Sequence, residues 1–530
     1  MRQAPARRAC DTAPRMMVPG AQYLLPRDAG EAAARTMLAE HLTIEPEPAR
    51  PSDRTYYDTF DGRLHAAGLV LVHAAGRLAL VDGTAYAEQA ALPSEESPER
   101  ILAHELAEGS LRDLLKPIAD VRALTPIARV RSRVRPLRVL DGQAKTVVRL
   151  VIESRALAVA NGRGVPLGPR LHVAGVRGYD KELQSVQGTL ERKLGLTPAE
   201  ELLHDEAVTV AGGAPGGTSS KLGLRLPPGE RADAAAVTAL ARLLEVIEVN
   251  LPGTLADVDS EFLHDLRVAV RRTRSVQRQL RRVFPPSPLE RFRTEFRWLQ
   301  HVTGPARDLD VYVLEFDRFR SALPATVAPD LEPLRRLLEH RRLAEHRRAA
   351  RALRSARTTR LLAEWAGFLE GLAEAPEADR PAAAKPIRDV AGERIGKVYR
   401  RMVASGAAID ELSPHEALHD LRKQGKELRY LLEIFGGMFP AKVVRPMVAT
   451  LKSLQDTLGR FQDREVQAAM LRSLREEVAA VEDGAAALMA MGLLVGRLEQ
   501  EQSAARAEFA ERFAAFAARP QQTLVRTAFA

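Results

Sequence analysis

Leu263-His264-Asp265-Leu266-Arg267-Val268-Ala269-Val270-Arg271-Arg272-Thr273-Arg274 is the stretch that decides the fold, because the chain carries it twice. The second version is Leu418-His419-Asp420-Leu421-Arg422-Lys423-Gln424-Gly425-Lys426-Glu427-Leu428-Arg429. His264 and His419 stand 155 residues apart, and the same offset lays Phe284-Pro285 on Phe439-Pro440, Arg297 on Lys452 and Leu299-Gln300 on Leu454-Gln455. It also lays Gly304 on Gly459, Asp308 on Asp463, Arg342 on Arg497 and Arg351 on Arg506. Matches at so many separate points indicate a duplicated helical unit.

On a helix turning about 100° per residue, His264, Arg267, Arg271, Arg274 and Arg278 share one sector. Leu263, Leu266, Val270 and Leu280 share another, centred roughly 110° away. The cationic stripe therefore flanks the core seam, where it lines a groove or a cavity between the two copies. The second copy repeats the layout with His419, Arg422, Lys426 and Arg429 beside Leu418, Leu421 and Leu428. The bland alternative is a solvated helix face. The frame occurs twice, however, and few carboxylates interrupt it, so an i,i+4 salt-bridge lattice is not expected. Stacked guanidiniums repel one another unless an anion lies between them, and the planar fork of Arg suits phosphate.

The two Leu-His-Asp-Leu-Arg helices, each followed by a Leu-Gln segment and then Gly and Asp, resemble the CHAD domain over roughly residues 230–520. The resemblance implies an all-α, pseudo-two-fold domain of two helical bundles that binds inorganic polyphosphate on a basic surface around the axis. Residue by residue, it implies contacts from His264, Arg267, Arg271, Arg274, Arg278, Arg297, Arg342 and Arg351 in the first copy. In the second it implies His419, Arg422, Lys423, Lys426, Arg429, Lys452, Arg497 and Arg506.

The composition fits such a partner. Of the 530 residues, 78 are Lys or Arg against 69 Asp or Glu, a net charge of +9. Residues 231–530 hold 48 basic and 41 acidic side chains, the first 230 only 30 and 28. The excess in the helical part predicts a polyanion: polyphosphate, nucleic acid or anionic lipid. The single cysteine, Cys10, excludes an intramolecular disulfide and cysteine-rich zinc sites, and fits a reducing cytoplasm. Basic residues near Met1 precede no apolar run, so no signal peptide is expected. No apolar stretch reaches the approximately 20 residues that a spanning helix needs, so no membrane insertion is expected.

The N-terminal half reads differently. After a disordered leader at 1–15 come short strands at Gln22–Pro26, Leu69–Val72 and Leu78–Val81, with a helix near Gly30–His41. Strands follow at Ile127–Val134 and Lys145–Glu153 around an Asp141-Gly142 hairpin turn, and Leu157–Val159 continues the sheet. A helix over Tyr179–Leu194 ends at Gly195. The run Tyr56-Tyr57-Asp58-Thr59-Phe60-Asp61, with Leu64 and Gly68 after it, resembles the CYTH family of triphosphate-tunnel β-barrels. That family opens with Glu-x-Glu-x-Lys, which holds metal and triphosphate, whereas this chain has Pro19-Gly20-Ala21-Gln22-Tyr23. It places alternating Arg after the glycine, whereas this chain has Leu69-Val70-Leu71-Val72. A tunnel lacking those carboxylates cannot place Mg²⁺ on a triphosphate. Arg129, Arg131, Arg133 and Arg135 share one strand face, either toward a residual anion or toward solvent.

The expected organisation is a leader at 1–15, a degenerate CYTH-like α+β barrel-like domain at 16–209, a Gly/Ser/Pro linker at 210–230 and an all-α CHAD domain at 231–520. The internal repeats span about 257–375 and 412–520. The linker's Gly-Gly-x-x-Gly-Gly run is no Walker loop, because no Gly-Lys-Ser/Thr follows it. Helices are expected at Phe292–Val302, Val443–Leu458, Gln462–Glu482 and Ala485–Phe516. The run Arg335–Arg360 is far more basic than its counterpart Arg497–Arg512, so the first copy should supply more of the anion site. Asp308 of Asp308-Leu309-Asp310 reads as a helix brace rather than a metal ligand, and no nucleophile–base set is legible. The expected function is non-catalytic polyphosphate binding without cofactor or metal, in the cytoplasm and in association with polyphosphate granules. The alternatives are a CYTH-type triphosphatase and a nucleic-acid binder. The low aromatic content, 5%, counts against a base-stacking surface.

Overall fold

The computed structural model describes residues 21–26, 30–83, 88–160 and 162–529. The expected leader, Cys10, Pro19 and Gly20 lie outside them. The chain divides into two compact units between Ser219 and Ser220.

The first unit is an antiparallel half-barrel sheet. Its strands are β1 (Ala21–Leu24), β2 (Ile44–Pro46), β3 (Arg50–Thr59), β4 (Leu69–Ala74), β5 (Arg77–Asp82), β6 (Glu88–Pro93), β7 (Leu124–Leu140), β8 (Thr146–Ala160), β9 (Arg163–Pro166) and β10 (Arg170–Gly175). They run in the order β1-β10-β8-β7-β3-β4-β5-β6, with β2 and β9 added on β7 and β8. The helices are α1 (Glu31–Ala39), α2 (Arg63–Ala66), α3 (Ser110–Ala119), α4 (Asp180–Arg192) and α5 (Leu203–Val210). Leu203, Ala207 and Val208 of α5 pack on Tyr56, Val70 and Val72. Leu111 and Leu115 of α3 pack on Tyr57, Leu71 and Leu80 across the sheet. Both faces of β4 are thus covered, which is why its sequence is apolar throughout instead of alternating.

One reading changes here, and one open alternative is decided. The β7–β8 connection is not a two-residue turn. Asp141 accepts hydrogen bonds from the backbone N–H groups of Gln143 and Lys145, both at 2.9 Å, and Ala144 takes the left-handed conformation at φ 58°. An Asx-type loop therefore replaces the expected glycine turn. Arg129, Arg131, Arg133 and Arg135 sit opposite the cavity-facing residues of β7, with Arg129 on Asp53 at 2.6 Å and Arg135 on Glu31. Of the two orientations open to that row, the outer one is realised. The glycine run in the expected linker packs back on the first unit. Thr218 N–H donates to the Phe60 carbonyl at 2.8 Å, and a Cβ on Gly62 (φ 66°) would fall 1.9 Å from the Gly216 carbonyl oxygen.

Among the described residues the second unit is helical. The first copy contains α6 (Ala232–Leu255), α7 (Ser260–Gln279), α8 (Pro286–Val302), α9 (Gly304–Leu314), α10 (Phe316–Ser321), α11 (Glu332–Leu353) and α12 (Ala356–Glu370). The second contains α13 (Ile387–Ala407), α14 (His415–Phe435), α15 (Ala441–Ser473), α16 (Arg475–Ala479), α17 (Gly484–Phe516) and α18 (Arg519–Ala528). Leu266, Val270 and Phe296 of the first copy share one core with Leu421, Leu428 and Leu454 of the second. The copies differ where α8 gives way to α9. Pro305 follows Gly304 and has no N–H to continue a helical ladder, whereas Arg460 follows Gly459 and keeps its own. The expected helices Val443–Leu458 and Gln462–Glu482 are therefore the single helix α15 followed by α16.

Candidate anion-binding cavity

The cavity is built where α7 meets α14. Asp259 caps α7, accepting from the N–H groups of Glu261 at 2.8 Å and Phe262 at 3.2 Å. Leu263, Leu266 and Val270 are fully buried, as are Leu421 and Leu428 on α14. That burial turns the adjoining cationic sectors of both helices toward their shared edge. Two ion pairs cross it: Arg272–Glu433 at 2.6 Å and Arg278–Glu427 at 2.8 Å. Arg272 and Glu427 occupy equivalent positions in the duplication, and so do Arg278 and Glu433. Each pair is therefore the image of the other, which is the signature of a two-fold contact between antiparallel helices. The pseudo-axis passes beside Ser275 and its equivalent Tyr430. The first copy supplies both cations of this exchange and the second both carboxylates.

Beside that axis lies a cavity of about 380 Å³. Arg271, Arg274, Arg278, Arg293 and Arg297 line it from α7 and α8, with Lys423 and Lys426 from α14. Glu427 is the one carboxylate among the lining residues; Ser275, Gln277, Gln300 and Tyr430 complete them. The electrostatics show crowding. Burial pushes the Lys426 ammonium down to about 8, and Arg422 and Arg271 add to the effect. Burial lowers Arg274 as well, reinforced by Arg297, Arg278 and Arg293. These are cations held together in a low-dielectric place without enough anions to balance them. Arg271 Nε and both amide atoms of the fully buried Gln277 have no hydrogen-bond partner among the described residues.

Of the sixteen residues expected to bind, six meet at this cavity: Arg271, Arg274, Arg278, Arg297, Lys423 and Lys426. The rest lie elsewhere. Arg267 is buried, and its Nη1 donates to the Gln300 carbonyl and to Thr303 Oγ1, both at 2.8 Å; it ties α7 to the end of α8. Burial pushes it down to about 10, with Arg271 and Arg307 adding to the shift and Asp308 opposing it. Its counterpart Arg422 pairs with Asp463 at 3.0 Å, and Arg429 pairs with Glu433 at 2.7 Å. The second stripe is thus partly a salt-bridge seam: α15 supplies Asp463, and α14 itself supplies Glu433 at i,i+4 from Arg429, a pairing not expected from the sequence. Arg342 lies between Asp257 at 2.5 Å and Asp310 at 2.9 Å, and Asp310 also holds His346. Arg506 donates to the carbonyls of Asp410, Glu411 and Ser413, bracing the entry to α14. Arg351, Lys452 and Arg497 are exposed. His264 and His419 are half-buried outside the cavity lining, and burial lowers His419, with Lys423 adding to it. Arg293, Gln277 and Tyr430 were not singled out from the sequence. Arg293 falls outside the duplicated frame, and nothing local marks a buried Gln or a Tyr on the axis.

Residues 238–472 match the family model of the CHAD domain. Two uncharacterized proteins from two strains of Mycobacterium tuberculosis are each 26% identical over 461 residues, covering 81% of this chain and 83% of theirs. Among solved structures, the CHAD domain from the plant Ricinus communis aligns with a TM-score of 0.48 at 25% identity, over 56% of this chain and 94% of that one. PptA from Streptomyces chartreusis aligns with a TM-score of 0.42 at 20% identity, over 54% and 99%. The N-terminal half-barrel is consistent with a CYTH-like tunnel domain, and the helical unit that follows it in the sequence carries a CHAD domain at residues 238–472.

Proposed function

We propose that the helical unit binds inorganic polyphosphate without catalysis, with the cavity beside the pseudo-axis as the principal site. The observation that carries this reading is seven cations around about 380 Å³ with a single carboxylate among the lining residues. Guanidinium forks from α7 and α8 face the ammonium groups of α14, the planar fork suits phosphate, and a bound anion offsets the burial and the neighbouring charges that lower Lys426. Five of the seven cations come from the first copy, though none from the Arg335–Arg360 run on which the expected inequality of the halves rests. On this reading residues 16–209, 210–230 and 231–520 are the sheet domain, linker and binding domain, and the protein gathers at cytoplasmic polyphosphate granules. Calorimetric titration of the full chain with polyphosphates of defined length tests it, with RNA at matched salt as the competitor. Arg271→Ala and Arg274→Ala should each weaken polyphosphate binding about tenfold or more. Unchanged affinity in both variants, or RNA binding more tightly than polyphosphate, would overturn it.

A further inference from the structure

A second cavity, of about 430 Å³, lies in the sheet unit under α5. That volume falls in the range of small-molecule sites, about 300–1,000 Å³. Its walls are Val70, Val72, Val134, Pro136, Val151 and Leu203, all apolar. At the inner end Leu203 packs on Tyr56, Val70 and Val72 and closes the space. The charges inside are already matched. Glu153, only 1% exposed, pairs with Arg54 through one carboxylate oxygen and meets His172 Nε2 at 2.6 Å through the other. Arg54 also donates to Ser132 Oγ at 3.3 Å.

The exposed lining residues Arg50, Pro51, Asp53 and Ala75 mark the mouth. Two of them are charged, and they differ. Asp53 is taken up by its neighbours on β7: Arg129 donates to it at 2.8 and 2.6 Å, and Arg131 lies at 3.4 Å. Arg50 has no ion-pair partner among the described residues. It stands opposite Val134 on β7, and residues opposite one another on neighbouring strands share a face, so Arg50 belongs to the cavity side of the sheet. Arg50 and Arg54 are four residues apart, about 13 Å along β3. The site thus has one unmatched cation at its rim, an apolar interior and a neutralised cluster within. A polyanion would meet a single guanidinium there and would lose the hydration of its other charges against valine. One carboxylate with an apolar tail meets all three features. Its head stays at the wet rim on a guanidinium fork, and each methylene drawn inside tightens binding about fourfold.

We propose that the sheet unit binds an amphipathic monocarboxylate, with its head group on Arg50 at the mouth and its alkyl chain in the valine-lined cavity. This site lies in the other unit from the polyphosphate cavity and stands or falls independently of it.

The test uses the full chain and alkyl probes below their micellar concentrations, titrated calorimetrically in excess tripolyphosphate. Decanoate should bind at one saturable site, about tenfold tighter than octanoate, which leaves two methylenes' worth of the cavity unfilled. Decyltrimethylammonium, with the same chain and the opposite charge, should bind about tenfold or more weakly than decanoate. Arg50→Gln should weaken decanoate several-fold and leave decan-1-ol unchanged. Val151→Trp, at a half-buried position on the cavity wall, should abolish decanoate binding. Leaving out tripolyphosphate should not alter the affinity of this site. Equal affinity of decanoate and decyltrimethylammonium for the unaltered chain, or of decanoate and octanoate, overturns the proposal without recourse to any variant. So does undiminished decanoate binding in Arg50→Gln or in a folded Val151→Trp chain, or decanoate binding that tripolyphosphate abolishes.

Discussion

Each cation of the duplicated stripe has its own fate, and the variants should separate accordingly. Arg271→Ala and Lys426→Ala should each cost about 1–3 kcal/mol of polyphosphate binding by calorimetry. Arg271→Ala should change stability by no more than about 0.5 kcal/mol, whereas Lys426→Ala removes a buried charge and should leave the free fold no less stable. Arg267→Ala should behave in the opposite way. It strips the Gln300 carbonyl and Thr303 of a buried donor, so denaturant unfolding should show a loss of about 1–3 kcal/mol. Leu266→Ala should lose about 2–5 kcal/mol of stability as a buried leucine. Lys426 also sets a pH dependence. Its folded pKa, about 8, lies below the ordinary lysine value, so the buried charge destabilises the free fold fully below pH 8. That cost fades as the pH rises from about 8 toward the unfolded lysine value near 10.4. The free protein should therefore gain stability over that window while polyphosphate affinity falls, because the site loses a charge. Lys426→Met should flatten both profiles in parallel denaturation and binding series at pH 7 and pH 9.5.

At the scale of elements, the contact between α7 and α14 is a two-fold interface whose charges have diverged. Glu427 accepts from Arg278 at 2.8 Å and Arg401 at 2.6 Å, and it is the carboxylate of the cavity wall. Glu427→Gln should strengthen polyphosphate binding several-fold and steepen its salt dependence, since the Arg278 guanidinium at the cavity is freed for the ligand; the two ion pairs lost are partly exposed and worth about 1 kcal/mol or less each. Weaker binding in that variant would mean that Glu427 orients Arg278 rather than competing for it. The element pattern was largely legible beforehand: two signature helices, both ended at Phe-Pro, and strands at most of the expected places. Helix α5 was not, because eight residues with few periodic apolar positions do not stand out from a connection. The unity of α15 was missed because a glycine within a helix reads as a stop when its partner copy has Gly-Pro at the same place.

At the scale of the molecule, the two units carry unlike chemistry: a balanced, mostly apolar cavity in the sheet and an unbalanced cationic one in the helices. Polyphosphate affinity should fall linearly in a log–log plot as salt rises from about 50 mM to about 200 mM, since each phosphate contact releases a counterion. Affinity indifferent to salt would refute a charge-built site. The sequence by itself determined the duplication, the helix periodicity and the placing of cations beside the core seam. Those features follow from spacing along one helix and need no knowledge of neighbours. Only the tertiary structure decided which cations face the cavity. The partners that take Arg267, Arg342, Arg422 and Arg506 out of it are Thr303, Asp257, Asp463 and Ser413, all distant in the chain. A period of 3.6 residues fixes the face a side chain shares, but a long, flexible guanidinium finds its acceptor wherever packing brings one.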